Sequence, residues 1–155
     1  MDLKKILPVF SYIFHPIFIS IYGTLFYFLV TRSYFYDSQI YVTLIQVVIL
    51  TLLLPLSIYF LFRSLGVVTS FTEATLKERQ MPIAVQAILL LVLLKFSISK
   101  EITTELFYFF LGGLSSSILV LTAVMLKFKA SLHMIGISAL TAFIYGLSSY
   151  YQLPF

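Results

Sequence analysis

The chain has 155 residues, of which 61% are hydrophobic and only 10% charged, and its mean hydropathy is +1.05. Soluble domains carry about 25% charge, so this composition excludes a soluble globular domain and indicates an integral membrane protein. The absence of cysteine removes disulfide and thiolate chemistry, and the net charge of +4 is spread over short loops, the pattern of loop charge rather than of nucleic-acid binding.

The opening MDLKKILPVF has the basic start of a signal peptide, but the apolar run that follows is long enough to span and no small-residue cleavage site follows it. It reads as a retained first helix. Pro8 and Pro16 interrupt the run. A proline inside a helix removes a backbone hydrogen bond, so the spacing predicts an interfacial stretch and then a span from Pro16 to Thr31. Tyr34, Tyr36 and Tyr41 gather at the next loop, as an interfacial aromatic belt does.

Ser38 to Phe62 is the second predicted span, with Pro55 as a kink. The connection from Arg63 to Met81 holds SFTEATLKERQMP, the most polar stretch of the chain, where Thr72 is placed to cap a short helix with Glu73 in its first turn. The third span opens at Pro82, a residue suited to a first helical turn. It runs to Leu94 and is short unless it continues past Lys95, whose long stem can snorkel. Ile102 to Leu126 is the fourth span, the Lys127–Lys129 segment is a tight turn, and Ser131 to Tyr151 is the fifth. Nothing alternates like a barrel strand, so the fold class is an all-α polytopic transmembrane bundle of about five spans, a single domain over residues 1–155. Rows of small residues four apart (Gly112 with Ser116, Gly113 with Ser117, and Ser138 with Ala142 and Gly146) predict close helix contacts.

With five spans, the N-terminus, the 63–81 connection and the 127–129 turn share one membrane face, which carries seven Lys or Arg against three on the other. The positive-inside rule makes that face cytoplasmic. It also gathers Lys77, Arg79, Lys129, Ser131 and His133. Arg takes phosphate by a bidentate fork and Lys as a point charge. Ser131 is a candidate N-cap, and a helix N-terminus presents free N–H groups to an anion. His133, in the first turn, can protonate a leaving oxygen at neutral pH. The plainer reading is that the lysines anchor to the interface, Ser131 only caps, and a backbone carbonyl satisfies His133. His15, before Pro16, is the one candidate nucleophile besides the acid His133, and its plainer reading is an interfacial histidine before a helix-starting proline. Neither a carboxylate pair nor a metal-ligand set stands out, so no cofactor or metal is expected.

The segments A-S-L-H (Ala130–His133) and E-R-Q-M-P (Glu78–Pro82) resemble two motifs of the type 2 phosphatidic acid phosphatase superfamily, helical membrane enzymes that hydrolyse lipid phosphates and polyprenyl diphosphates. The family's motifs are K-x6-R-P, P-S-G-H and S-R-x5-H-x3-D. Ser131 falls on the phosphate-binding serine of the second motif and His133 on its general acid. The first motif is matched loosely. Pro82 agrees, but Met81 and Ala74 hold the places of its arginine and lysine, which Lys77 and Arg79 replace only if the segment is rewound. With its SYIFHP stretch, most of the chain also resembles short bacterial membrane proteins related to that superfamily, in which E-R-R-x-P and K-x-S-x-H occur in this order. The resemblance implies the inner membrane of a bacterium and, as partners, membrane lipid with an anionic head group or a prenyl diphosphate. Nucleic acid is not expected, and self-association stays open.

The third motif, which supplies the nucleophilic histidine, has no counterpart, because no His, Arg, Lys, Asp or Glu follows His133. Two readings compete: a natural chain that continues past Phe155, which is favoured here, or a protein that has lost catalysis. As given, the chain is expected to hydrolyse nothing. The alternative class is a non-catalytic helical membrane protein, either a scaffold subunit or an anionic lipid binder.

Overall fold

The computed structural model describes residues 15–67, 76–128 and 130–153. The expected cap at Thr72 and Glu73 lies outside the described residues, as does Lys129. Among the described residues there is no strand. Five helical segments are long and apolar enough to cross a membrane, which makes the chain a multi-pass membrane protein.

Helix α1 (Pro16–Thr31) starts where the prolines predict. Pro16 sits in the first turn, where a missing N–H does no harm, and His15 caps it, its Nδ1 accepting the Ile17 N–H at 3.3 Å. A short 3-10 turn, Arg32–Tyr34, leads to α2 (Asp37–Val48). There the Gln39 side chain accepts the Tyr36 N–H at 3.2 Å, closing the start of the helix.

The second span is not simply kinked at Pro55. Ile49–Leu53 forms a π turn between α2 and α3 (Leu54–Ser64), with the Leu54 N–H reaching back to the Ile49 carbonyl. Pro55 has no N–H, and its ring would press on the carbonyl four residues earlier. Widening the turn just before it relieves that crowding, and the π geometry rotates α3 relative to α2. The two halves of one span therefore present different faces to the bundle.

Helix α4 (Leu76–Phe96) corrects the third span. Pro82 lies inside the helix rather than in its first turn. The helix gains its length on the N-terminal side, so Lys77, Glu78 and Arg79 are helical residues, not loop residues. Helix α5 (Thr104–Met125) ends in a left-handed Lys127, φ 65°. The Lys127 N–H bonds the Val124 carbonyl at 3.0 Å and the Phe128 N–H bonds that of Ala123 at 2.8 Å, the two bonds of a Schellman stop. Helix α6 (Leu132–Tyr150) follows, with Ser131 as its N-cap.

Helix α1 is the most buried span and packs on α2, α5 and α6, while α4 runs along α5. The main core joins Tyr27, Val47, Leu93, Leu106, Phe110 and Leu147 from all five spans. A smaller cluster of Ile83, Val120 and Val124 gathers Leu76 and Ala130, drawing the starts of α4 and α6 together. Of the small-residue rows, that of Gly113 and Ser117 faces a helix contact, a Cβ at Gly113 lying 3.8 Å from Leu90 on α4, and the other rows do not. A Cβ at Gly112 or Gly146 would meet nothing within 4 Å, and Ser138 and Ala142 are exposed. The tight positions are Gly23, beneath the Phe109 ring, and Gly136, against Ile19. Spacing alone does not say which face of a helix turns inward.

Candidate functional site

Helices α1, α4 and α6 begin at the same end of the bundle, so their positive dipole ends lie together. The starts of α1 and α6 touch through their histidines: the His15 and His133 rings meet edge to face, with centroids 5.3 Å apart. His15 contributes Nδ1 to its own cap. Burial and then the charge of His133 push the His15 imidazole below its ordinary pKa, which favours the neutral ring.

Ser131 caps α6 as expected, its Oγ accepting the Met134 N–H at 3.4 Å. Its hydroxyl proton remains able to donate to an anion. His133 is the second residue of α6 and half-buried.

On α4, Arg79, Pro82, Ile83, Gln86 and Leu90 recur at helical spacing and form one stripe. All but Arg79 line a cavity of about 310 Å³, and Arg79 continues the stripe one turn toward the histidine end. Arg79 is half-buried, whereas Lys77 is exposed on a different face of α4. The structure thus separates two cations that adjoin in sequence.

The cavity runs from His15 and Leu132 at the helix starts, past Tyr59, Gln86 and Ser116, to Phe109 and Phe110. On α5 it extends from Val120 to Phe109, about 16 Å at 1.5 Å per residue. That is about half of a 30 Å hydrocarbon layer. Its walls are mostly apolar, and helix α3 contributes Pro55, Leu56, Ile58, Tyr59 and Phe62 to them. An apolar slot capped by imidazoles, helix N-termini and an arginine suits an anion that carries a hydrocarbon chain.

Sequence reasoning gave His15 less weight than His133, and it missed the cavity. The available signal was the Arg79-to-Leu90 stripe, legible once the helix is extended back to Leu76. Among the described residues, no group of three or more His, Asp or Glu side chains is placed to hold a metal ion. No family model, no curated protein and no solved structure matches the chain.

Proposed function

We propose that the chain is a membrane-embedded, phosphatase-like protein that holds the phosphate of a lipid phosphate or polyprenyl diphosphate at the starts of α1 and α6. The observation that carries this reading is the contact of His15 with His133 at the mouth of an apolar cavity. The Ser131 hydroxyl and the N–H groups of the first α6 turn would hold phosphate oxygens. Arg79 would neutralise charge from its place above the cavity, with Lys77 as a longer-range cation. If an attacking water or side chain forms the new bond to phosphorus, His133 would protonate the leaving oxygen as the old phosphorus–oxygen bond breaks.

A second reading, an anionic lipid binder without hydrolysis, is favoured by the same contact. In-line transfer sets the attacking nitrogen about 3 Å from phosphorus and the acid about 3 Å beyond the leaving oxygen. Ring centroids 5.3 Å apart are closer than that arrangement needs, which supports a binding role for His15 over attack opposite His133.

The test is paired binding and phosphate-release measurement on the purified chain, with phosphatidic acid and a polyprenyl diphosphate in mixed micelles. Binding of both that drops in His133→Ala, with no phosphate released, supports the binder reading. Release abolished by His133→Ala supports the enzyme. Equal binding of diacylglycerol, which lacks phosphate, would sink both.

A further inference from the structure

The opposite end of the bundle holds a second cavity, of about 390 Å³, between α1, α2 and the α4–α5 connection. Its chemistry differs from that of the first. No Asp, Glu, Lys, Arg or His lines it.

One wall is a polar stripe on α2. Gln39, Thr43 and Gln46 follow each other at spacings of four and three, so they share one face. The stripe extends about 10 Å into a spanning helix, where a polar side chain is costly unless it has a partner. Elsewhere on the same spans threonine satisfies itself: Thr24, Thr31 and Thr51 donate to the carbonyl four residues back at 2.7, 2.7 and 2.8 Å. Thr43 departs from that habit. Its hydroxyl and the Gln46 amide make no hydrogen bond with any described residue. Gln39 uses one oxygen, for the Tyr36 N–H, and keeps its amide donors.

The facing wall is aromatic. Phe28 and Phe35 meet edge to face, with centroids 5.5 Å apart, and Phe96, with Lys95 Nζ 5.4 Å from its ring centroid, joins them in the lining. Amides and a hydroxyl on one side, aromatic rings on the other and no charged residue in the lining suit a hydroxyl-rich group with apolar C–H faces.

We propose that this crevice binds an uncharged polyhydroxyl group, of the sugar type, at the membrane surface opposite the histidines. The α2 stripe supplies the hydrogen bonds and Phe28, Phe35 and Phe96 supply the apolar face. The site is independent of the phosphate reading, since it shares no residue with the first cavity.

The test is native mass spectrometry of the purified full chain with monoglucosyl diacylglycerol and, separately, diacylglycerol in the micelle. The sugar lipid should be retained about tenfold or more over diacylglycerol, the effect of one or two hydrogen bonds out of water. The shape-conserving double variant Thr43→Val, Gln46→Leu should reduce it to the diacylglycerol level. Val42→Phe, which fills the crevice from an exposed position, should do the same and serves if the double variant fails to fold. An added arm with free glucose separates the sources. Displacement of the lipid assigns the site to the sugar itself and resistance assigns it to lipid-borne sugar, and either supports the proposal. Equal retention of the two lipids overturns it. So does unchanged retention in both variants, or a double variant whose only change is from dimer to monomer, which would assign the stripe to a second copy of the chain.

Discussion

Gly23 and Phe109 occupy the same space: a Cβ on Gly23 would stand 2.6 Å from two carbons of the Phe109 ring. The ring cannot swing aside easily, because it stacks on Phe143 with centroids 4.4 Å apart. This contact sets α1 against α5 and α6 and shapes the floor of the first cavity. Gly23→Ala should therefore destabilise the bundle by about 1–3 kcal/mol, the range for overpacking. Gly112→Ala, with nothing within 4 Å, should be neutral or stabilise by up to about 1 kcal/mol through helix propensity. Thermal unfolding of both variants in one detergent checks the contrast.

A second prediction concerns acid. The His15 pKa lies below its ordinary value of 6.5 in the folded state, from burial and then from His133. The unfolded chain then binds the proton first, so stability is fully present above about pH 6.5 and falls as pH drops through the lowered value. His15→Asn keeps a capping acceptor and cannot titrate. It should flatten the acid limb of a stability-versus-pH curve, and an unchanged limb would assign that limb to other groups.

At the other end of the bundle, Glu105 accepts one hydroxyl on each oxygen, Tyr27 at 3.4 Å and Tyr151 at 3.1 Å. Burial, then the hydrogen bond and charge of Glu105, push Tyr151 up to about 12. A raised tyrosine favours the protonated fold, so its contribution is present below about pH 10 and is lost as pH rises toward 12. Phenolate absorbance should show a late-titrating fraction that Tyr151→Phe reduces, and Glu105→Gln should bring the Tyr151 step earlier. Tyr151→Phe should cost about 1 kcal/mol, an ordinary hydrogen bond.

The registry of α4 separates Arg79 from Lys77. Arg79 continues the stripe that lines the cavity, whereas Lys77 is exposed on another face. Arg79→Ala should weaken binding of phosphatidic acid about tenfold or more, as loss of a charged hydrogen bond does. Lys77→Ala should change it less than about threefold, as an exposed, screened charge does. Equal losses would place the head group outside the cavity mouth.

The start of α1 at Pro16 was legible because a proline in a first turn and a charge-free run to Thr31 point the same way. The Ser131 cap was legible for a similar reason: a short hydroxyl residue stands directly before an apolar helical run. The reach of α4 back to Leu76 was not. A proline that suits a first turn also sits within a longer helix when packing holds it, and the contact of Leu76 with the Ile83, Val120 and Val124 cluster provides that packing. The π turn before Pro55 was read only as a kink, since sequence shows that a bond is lost but not how the turn rearranges.

Composition and the lengths of the apolar runs were enough for the all-α membrane bundle, because a bilayer admits few ways to satisfy a backbone. They also brought Ser131, His133 and Arg79 to one membrane face, since the parity of spans decides which end of each helix is shared. Which side chains meet at that face was decided only by tertiary packing. The contact of His15 with His133 depends on how α1 rotates about its axis against α6, and that rotation is set by Gly136 closing on Ile19 and Gly23 on Phe109. Rotation about a helix axis leaves hydropathy unchanged, so no pattern along the chain records it.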